Sequence, residues 1–187
     1  MKTIEQVLFE VVDLCNYLMI PYAVMGGLAV RIHGIPRPTY DIDLTITAKG
    51  DHLQQMFAEA ESRGYMIPAA YRGGWLDRVA DMPIIKLRTY VEDGKGIDVD
   101  LFLTESAFQE SLMGRRISCE IADRQIDVVS PEDLVLLKLL ANRPRDLGDI
   151  QDIRFMQKQL DERYMRSWAE PLGISERLDS LLQEPEY

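Results

Sequence analysis

The sequence predicts an α+β protein, and three observations carry that reading. Apolar residues recur at three- and four-residue steps near the N-terminus and again beyond residue 130, short apolar runs of strand length lie between them, and strand signals cease after Val129. The change near 130 divides the chain into a strand-bearing core, 1–129, and a C-terminal helical segment, 130–187, expected to pack on that core as one compact unit.

Taken in order, residues 3–19 place Ile4, Val7, Leu8, Val11, Val12, Cys15 and Leu18 on one helical face. A strand at 22–25 runs into Gly26-Gly27 and a helix-like segment, 28–33, closed by Gly34. Pro36 and Pro38 keep the preceding residues out of the helical region and force an extended approach to a strand at 41–47. A helix at 51–63 stops at Gly64, and 65–81, broken at Gly73-Gly74, reads as strand and loop. Strands at 83–91 and 97–103 are joined by a glycine-bearing turn at 92–96, and a second hairpin, 116–129, turns at Ala122-Asp123-Arg124. Ser130-Pro131-Glu132-Asp133 is a helix start: a hydroxyl cap, a proline where no N–H is needed, and acids near the free N–H groups. Helices follow near 131–142, 146–159, 161–170 and 174–183.

The 187 residues carry 31 acids against 21 Lys and Arg, a formal charge of −10, with 47% apolar and 28% charged residues. That composition excludes a disordered chain and disfavours the broad basic surface that grips duplex nucleic acid. Cys15 and Cys119 are too few for a disulfide framework or a cysteine zinc site, which points to a reducing cytoplasm. The first thirty residues hold one Lys and three acids, and the apolar run 18–30 is interrupted by Pro21, Gly26 and Gly27, so neither a signal peptide nor a membrane span is expected.

Charge is concentrated in two acid doublets. In Asp41-Ile42-Asp43 the two-residue step of a strand points both carboxylates to one face and Ile42 and Leu44 to the other. Asp98-Val99-Asp100 repeats the pattern. Each doublet is also the pattern of a solvated strand face, but if the two strands are neighbours, several carboxylates meet on one patch. Such a patch is repulsive without a cation and suits Mg²⁺ or Mn²⁺. Gly26-Gly27 stands between strand and helix, where backbone N–H groups can approach a phosphate, although a plain tight turn needs the same residues.

The combination of Gly26-Gly27-Leu28-Ala29, Gly34, Arg37, Thr39, Asp41-Ile42-Asp43-Leu44 and Val99-Asp100-Leu101-Phe102 resembles the nucleotidyltransferase family headed by DNA polymerase beta. The resemblance implies a mixed sheet flanked by helices, two divalent ions held by three acids, and transfer of a nucleoside monophosphate from an NTP to a hydroxyl. It implies Asp41 and Asp43 as metal ligands and Asp100 as the third carboxylate, preferred to Asp98 because it immediately precedes the apolar pair Leu101-Phe102. Gly26, Gly27, Arg37 and Thr39 would hold the triphosphate. Where many members carry Ser, this chain has Gly27, so Thr39 or backbone N–H groups must supply the missing contact.

Farther on, Lys138-Leu139-x-Ala141 and Arg143-x-Arg145-Asp146-Leu147-x-Asp149-Ile150 resemble the bacterial AbiEii-type toxin nucleotidyltransferases. That resemblance implies an antitoxin partner, with Lys138 on the triphosphate and Asp146 and Asp149 holding Lys138, Arg143 or Arg145 in place. The expected acceptor is a tRNA end, a protein or a small molecule. A non-catalytic interaction module and a metal-dependent phosphohydrolase on the same fold remain as alternatives.

Other residues read more plainly. His33 and His52 are expected at helix ends in surface or cap roles, and Trp75, between Arg72 and Arg78, as a loop aromatic covering the core or stacking on a base. Lys86 and Arg88 share one strand face, but which face the sequence does not say. Acids and arginines after Asp161 are expected to form solvated helix faces, with Tyr164, Trp168 and Leu172 turned inward.

Overall fold

A computed structural model describes residues 2–90 and 96–183. The chain opens with α1 (Ile4–Tyr17), whose N-terminus is closed by a reciprocal Thr3/Gln6 capping box. Then come β1 (Tyr22–Met25), α2 (Gly26–His33), β2 (Asp41–Ile46) and α3 (Asp51–Ser62). The region 65–81, expected as strand and loop, contains a short helix, α4 (Ala69–Arg72), before β3 (Asp77–Val79). β4 (Met82–Tyr90) and β5 (Gly96–Leu103) follow as expected, while the turn predicted between them lies largely outside the described residues.

α5 (Ala107–Arg115) has no counterpart in the sequence reading, although Ser106 and Gln109 form a capping box that marks its start. The hairpin of β6 (Ile117–Ile121) and β7 (Arg124–Val128) turns at Ala122 and Asp123, both at positive φ. The C-terminal helices are α6 (Pro131–Ala141), α7 (Pro144–Gln157), α8 (Glu162–Ala169) and α9 (Ser175–Gln183). α6 begins as its sequence requires, with the Ser130 hydroxyl accepting from the Asp133 N–H and Pro131 in the first turn.

One seven-stranded sheet runs in the order β3-β4-β5-β2-β1-β7-β6. It is mixed: β2 with β5 and β1 with β7 are parallel, and the remaining neighbours are antiparallel. Alternation works as the doublets require. Ile42, Leu44, Val99 and Leu101 are fully buried, while Asp41, Asp43 and Asp100 remain partly open on the opposite face. α2 packs on α6 and α7, and α1 packs on α3. Buried side chains from α1 (Leu8), β2 (Ile42), α6 (Leu136), α7 (Ile153) and α9 (Leu178) belong to one continuous core.

Two expectations are corrected. His33 is neither a surface nor a cap residue: it is 3% exposed, its Nε2 lies 2.8 Å from the Val129 carbonyl oxygen, and burial lowers its pKa. Trp75 does not cover the core. It is 63% exposed, its indole N–H held at the surface by the Asp77 carboxylate. No described helix is long and apolar enough to cross a membrane.

Candidate active site

The parallel pairing of β2 and β5 sets Asp41 opposite Asp98 and Asp43 opposite Asp100. Four carboxylates therefore occupy adjacent positions on one face of two neighbouring strands. β4 answers from the other side of β5, placing Lys86 opposite Asp100 and Arg88 opposite Asp98. Register also separates the two candidates for the third carboxylate. The Asp98 side chain is 53% exposed and paired with Arg88 at 3.1 Å. Asp100 is 19% exposed and lines, with Asp41 and Asp43, a cavity of about 390 Å³. Lys86, Lys138, Arg143 and Gly26 border the same cavity.

Asp43 lies at the centre of this charge. No hydrogen bond or ion pair among the described residues reaches its carboxylate. Burial, and then the charges of Asp41 and Asp100, push its pKa up to about 7. Burial also raises Asp100, against the pull of its ion pair with Lys86 at 3.1 Å. Asp41 is turned aside, accepting from the Thr39 hydroxyl at 2.8 Å. With Asp41 held by Thr39 and Asp100 by Lys86, among the described residues no three His, Cys, Asp or Glu side chains close on a single ion position. In kind the donors fit: three carboxylates facing one cavity, one of them without a partner, are the oxygen set a hard divalent cation takes.

Beside the acids stands the N-terminus of α2, which begins at Gly26 and not at Leu28 as the sequence suggested. Gly26 has φ +63°, and a Cβ there would lie 1.8 Å from Asp43 Oδ2. Only glycine lets the helix start against the carboxylate. No side chain caps this terminus, so its first N–H groups are free for an anion.

Gly27 answers a different constraint. A Cβ on it would come within 2.5 Å of Thr39 Oγ1, so the Thr39 side chain fills the space a residue at 27 would use. The loop thus sets a hydroxyl, donated to Asp41, beside the position where the helix carries none. Gly27→Ser in the wild-type background is expected to displace Thr39 and lower both stability and activity. In a Thr39→Ala background the same substitution should recover part of each. Melting curves and initial rates on the two single variants and the double variant measure that coupling.

The remaining predicted residues form a buried ion cluster at the back of the site. Lys138, 4% exposed, donates to Asp146 at 3.1 Å and to Asp149 at 2.5 Å. Arg37 grips Asp149 with two hydrogen bonds of 2.6 and 2.8 Å, and Arg143 pairs with Asp146. These donors hold both carboxyl pKa values below the usual range although burial alone would raise them. Lys138 and Arg37 are therefore engaged with protein carboxylates, and Arg37 does not border the cavity. Arg145 is exposed and makes no ion pair with Asp146 or Asp149; Arg143 takes the place offered to it. Lys86 joins the acids because the β4–β5 register carries it to their face, which the sequence left open.

Residues 2–171 match the family described as "Nucleotidyltransferase of unknown function" (DUF6036). Among solved structures, similarity extends to an antigenic nucleotidyltransferase-like protein of Paracoccidioides brasiliensis (22% identity, TM-score 0.52, covering 79% of this chain and 72% of that one). It extends also to the lincosamide antibiotic adenylyltransferase LnuA bound to lincomycin (19%, TM-score 0.55, 83% and 99%). A further similar structure is ANT(2")-Ia in complex with adenylyl-2"-tobramycin (14%, TM-score 0.58, 89% and 94%). At these identities the structures support the fold alone. A comparison with curated proteins returns no match. The sheet order, the acid doublets at shared register and the family match over residues 2–171 agree, and this chain belongs to that nucleotidyltransferase family.

Proposed function

We propose that this protein transfers a nucleoside monophosphate from an NTP to an acceptor hydroxyl, with Asp41, Asp43 and Asp100 holding Mg²⁺ or Mn²⁺. The observation that carries the reading is Asp43: a carboxylate without a partner, between two other acids and against an uncapped helix N-terminus. An arrangement this unfavourable in isolation is compensated when cations and a triphosphate bind together. Bound divalent cations would neutralise the phosphate oxygens and stabilise the charge that develops during transfer.

The chain's own groups have separable tasks. The first N–H groups of α2 orient phosphate oxygens, the Thr39 hydroxyl holds Asp41 in place, and Lys86 and Arg143, both at the cavity wall, balance the negative charge. Asp100 receives the acceptor's proton as the acceptor oxygen bonds to the α-phosphorus and the bond to pyrophosphate breaks. The buried cluster of Arg37, Lys138, Asp146 and Asp149 fixes the loop that delivers Thr39. The fold is shared with a lincosamide antibiotic adenylyltransferase, LnuA, and with ANT(2")-Ia, solved with adenylyl-2"-tobramycin, which supports a small hydroxyl compound as the acceptor.

The test is incubation with Mg²⁺ and each α-³²P-labelled NTP in turn, comparing wild type with Asp100→Asn. Label joined to an acceptor by wild type alone supports the reading. Release of free nucleotide with no labelled acceptor would instead identify a phosphohydrolase. If metal and NTP together leave the melting temperature unchanged and no label moves, the reading fails.

A further inference from the structure

The catalytic cavity changes character along its length. On β5, the two-residue step from Asp100 to Phe102, about 7 Å, replaces a carboxylate with an aromatic ring on the same face. β4 changes likewise from Lys86 to Met82. Past this apolar end lies a second cavity of about 390 Å³, and Ala80, Met82 and Leu140 line both spaces. Two cavities thus meet at three small or flexible side chains, one of them a methionine able to repack around a ligand.

The second space has apolar walls, including Phe108 and Leu172, and a charged rim of Arg78, Asp81 and Glu105. Arg78 is committed at that rim: it pairs with Glu105 at 3.8 Å and donates to the Asp81 backbone carbonyl at 2.6 Å. One cation stands against two carboxylates. The rim therefore repels phosphate and admits an uncharged or cationic group.

We propose that the second cavity holds the body of the acceptor, a small uncharged or cationic molecule with an apolar frame, whose hydroxyl extends past Met82 and Phe102 to Asp100. The proposal rests on the nucleotidyl-transfer reading and deepens it by assigning the acceptor's class and position. The triphosphate needs the polar end, where the helix N-terminus, Lys86 and Arg143 stand. Each cavity is small-molecule sized, and the apolar walls with their acidic rim provide no track for an RNA backbone. The product is a phosphodiester joining the acceptor oxygen to the nucleoside monophosphate; pyrophosphate leaves, and the hydroxyl proton passes to Asp100.

Three acceptor preparations decide the matter, each incubated with the full chain, Mg²⁺ and α-³²P-labelled NTPs: an ultrafiltered solvent extract of cells, total RNA, and dialysed cell protein. Label is expected in the extract alone, in a product retained on reversed-phase medium longer than the free nucleotide. Leu172→Trp, which fills the second cavity away from the carboxylates, should cut that labelling by roughly tenfold or more. The thermal shift given by Mn²⁺ with a non-hydrolysable NTP analogue should not change. Leu172→Phe, a milder filling, guards against a folding defect and should give a smaller loss in the same direction. Labelled RNA or protein with an unlabelled extract would overturn the proposal and leave nucleotidyl transfer standing. So would folded, NTP-binding Leu172 variants that label the extract as wild type does. No label in any preparation overturns it as well, and a missing thermal shift would remove the transfer reading with it.

Discussion

Asp43→Asn is expected to abolish nucleotidyl transfer, by about 10³-fold or more, while making the metal-free protein more stable. The sign follows from the raised pKa. Asp43 titrates near 7 in the folded chain against 3.8 for an ordinary aspartate, so between those values the folded state binds the proton that the unfolded state has released. Stability from this group is therefore fully present at acid pH and lost as pH rises toward and through 7. Asparagine keeps the shape and cannot ionise. Its advantage should grow from pH 4 to pH 8 and reach about 2 kcal/mol, some 4–8 °C in melting temperature for a chain of this size, after allowance for water at the cavity mouth. Mg²⁺ or Mn²⁺ should reverse the ranking by stabilising wild type and leaving the variant unmoved. Melting curves at several pH values, with and without metal, read both effects. A wild type that melts above Asp43→Asn in chelator at pH 8 would refute the account of the site as a strained carboxylate set.

Lys138→Met is expected to act through the fold first. The ammonium is the shared partner of two buried carboxylates, and its removal leaves Asp146 and Asp149 with one arginine each. Breaking a buried ion cluster from one side costs about 3–5 kcal/mol, or roughly 6–20 °C here. Both carboxyl groups have depressed pKa values, so their contribution is present above the ordinary aspartate range and lost as the solution is acidified through the folded values. Wild type should therefore be acid-labile, and the variant should lose part of that pH dependence along with its stability. A variant of unchanged melting temperature and weaker NTP binding would instead return Lys138 to the triphosphate.

These two results separate residues that the sequence groups together. Asp41, Asp43 and Lys138 all belong to motif-like strings and all border the cavity, yet Asp43 has no partner there while the ammonium of Lys138 is taken up by Asp146 and Asp149. The reason lies in the distances involved. Arg37 and Asp149 are 112 positions apart, and nothing in either local string indicates that they meet. Likewise Thr39 comes to lie over Gly27 only because the loop after α2 folds back on the helix start. Where the sequence failed locally, a signal was present: Ser106 and Gln109 mark the start of α5 by the same capping logic that identified α6. His33, by contrast, offers none, since its burial depends on a carbonyl 96 positions away.

Periodicity and turn chemistry act over a few residues, and by themselves they determined nearly every element, the common face of each acid doublet, the glycine pair between β1 and α2 and the change to all-helical structure after Val129. Tertiary structure decided the partners. Sheet order made β2 and β5 neighbours, their register placed Asp100 in the cavity and Asp98 outside it, and β4 brought Lys86 across from Asp100. A strand's alternation states which side chains share a face. Which charges meet on that face depends on strand pairing, whose hydrogen bonds are made between backbones and leave little trace in either sequence alone.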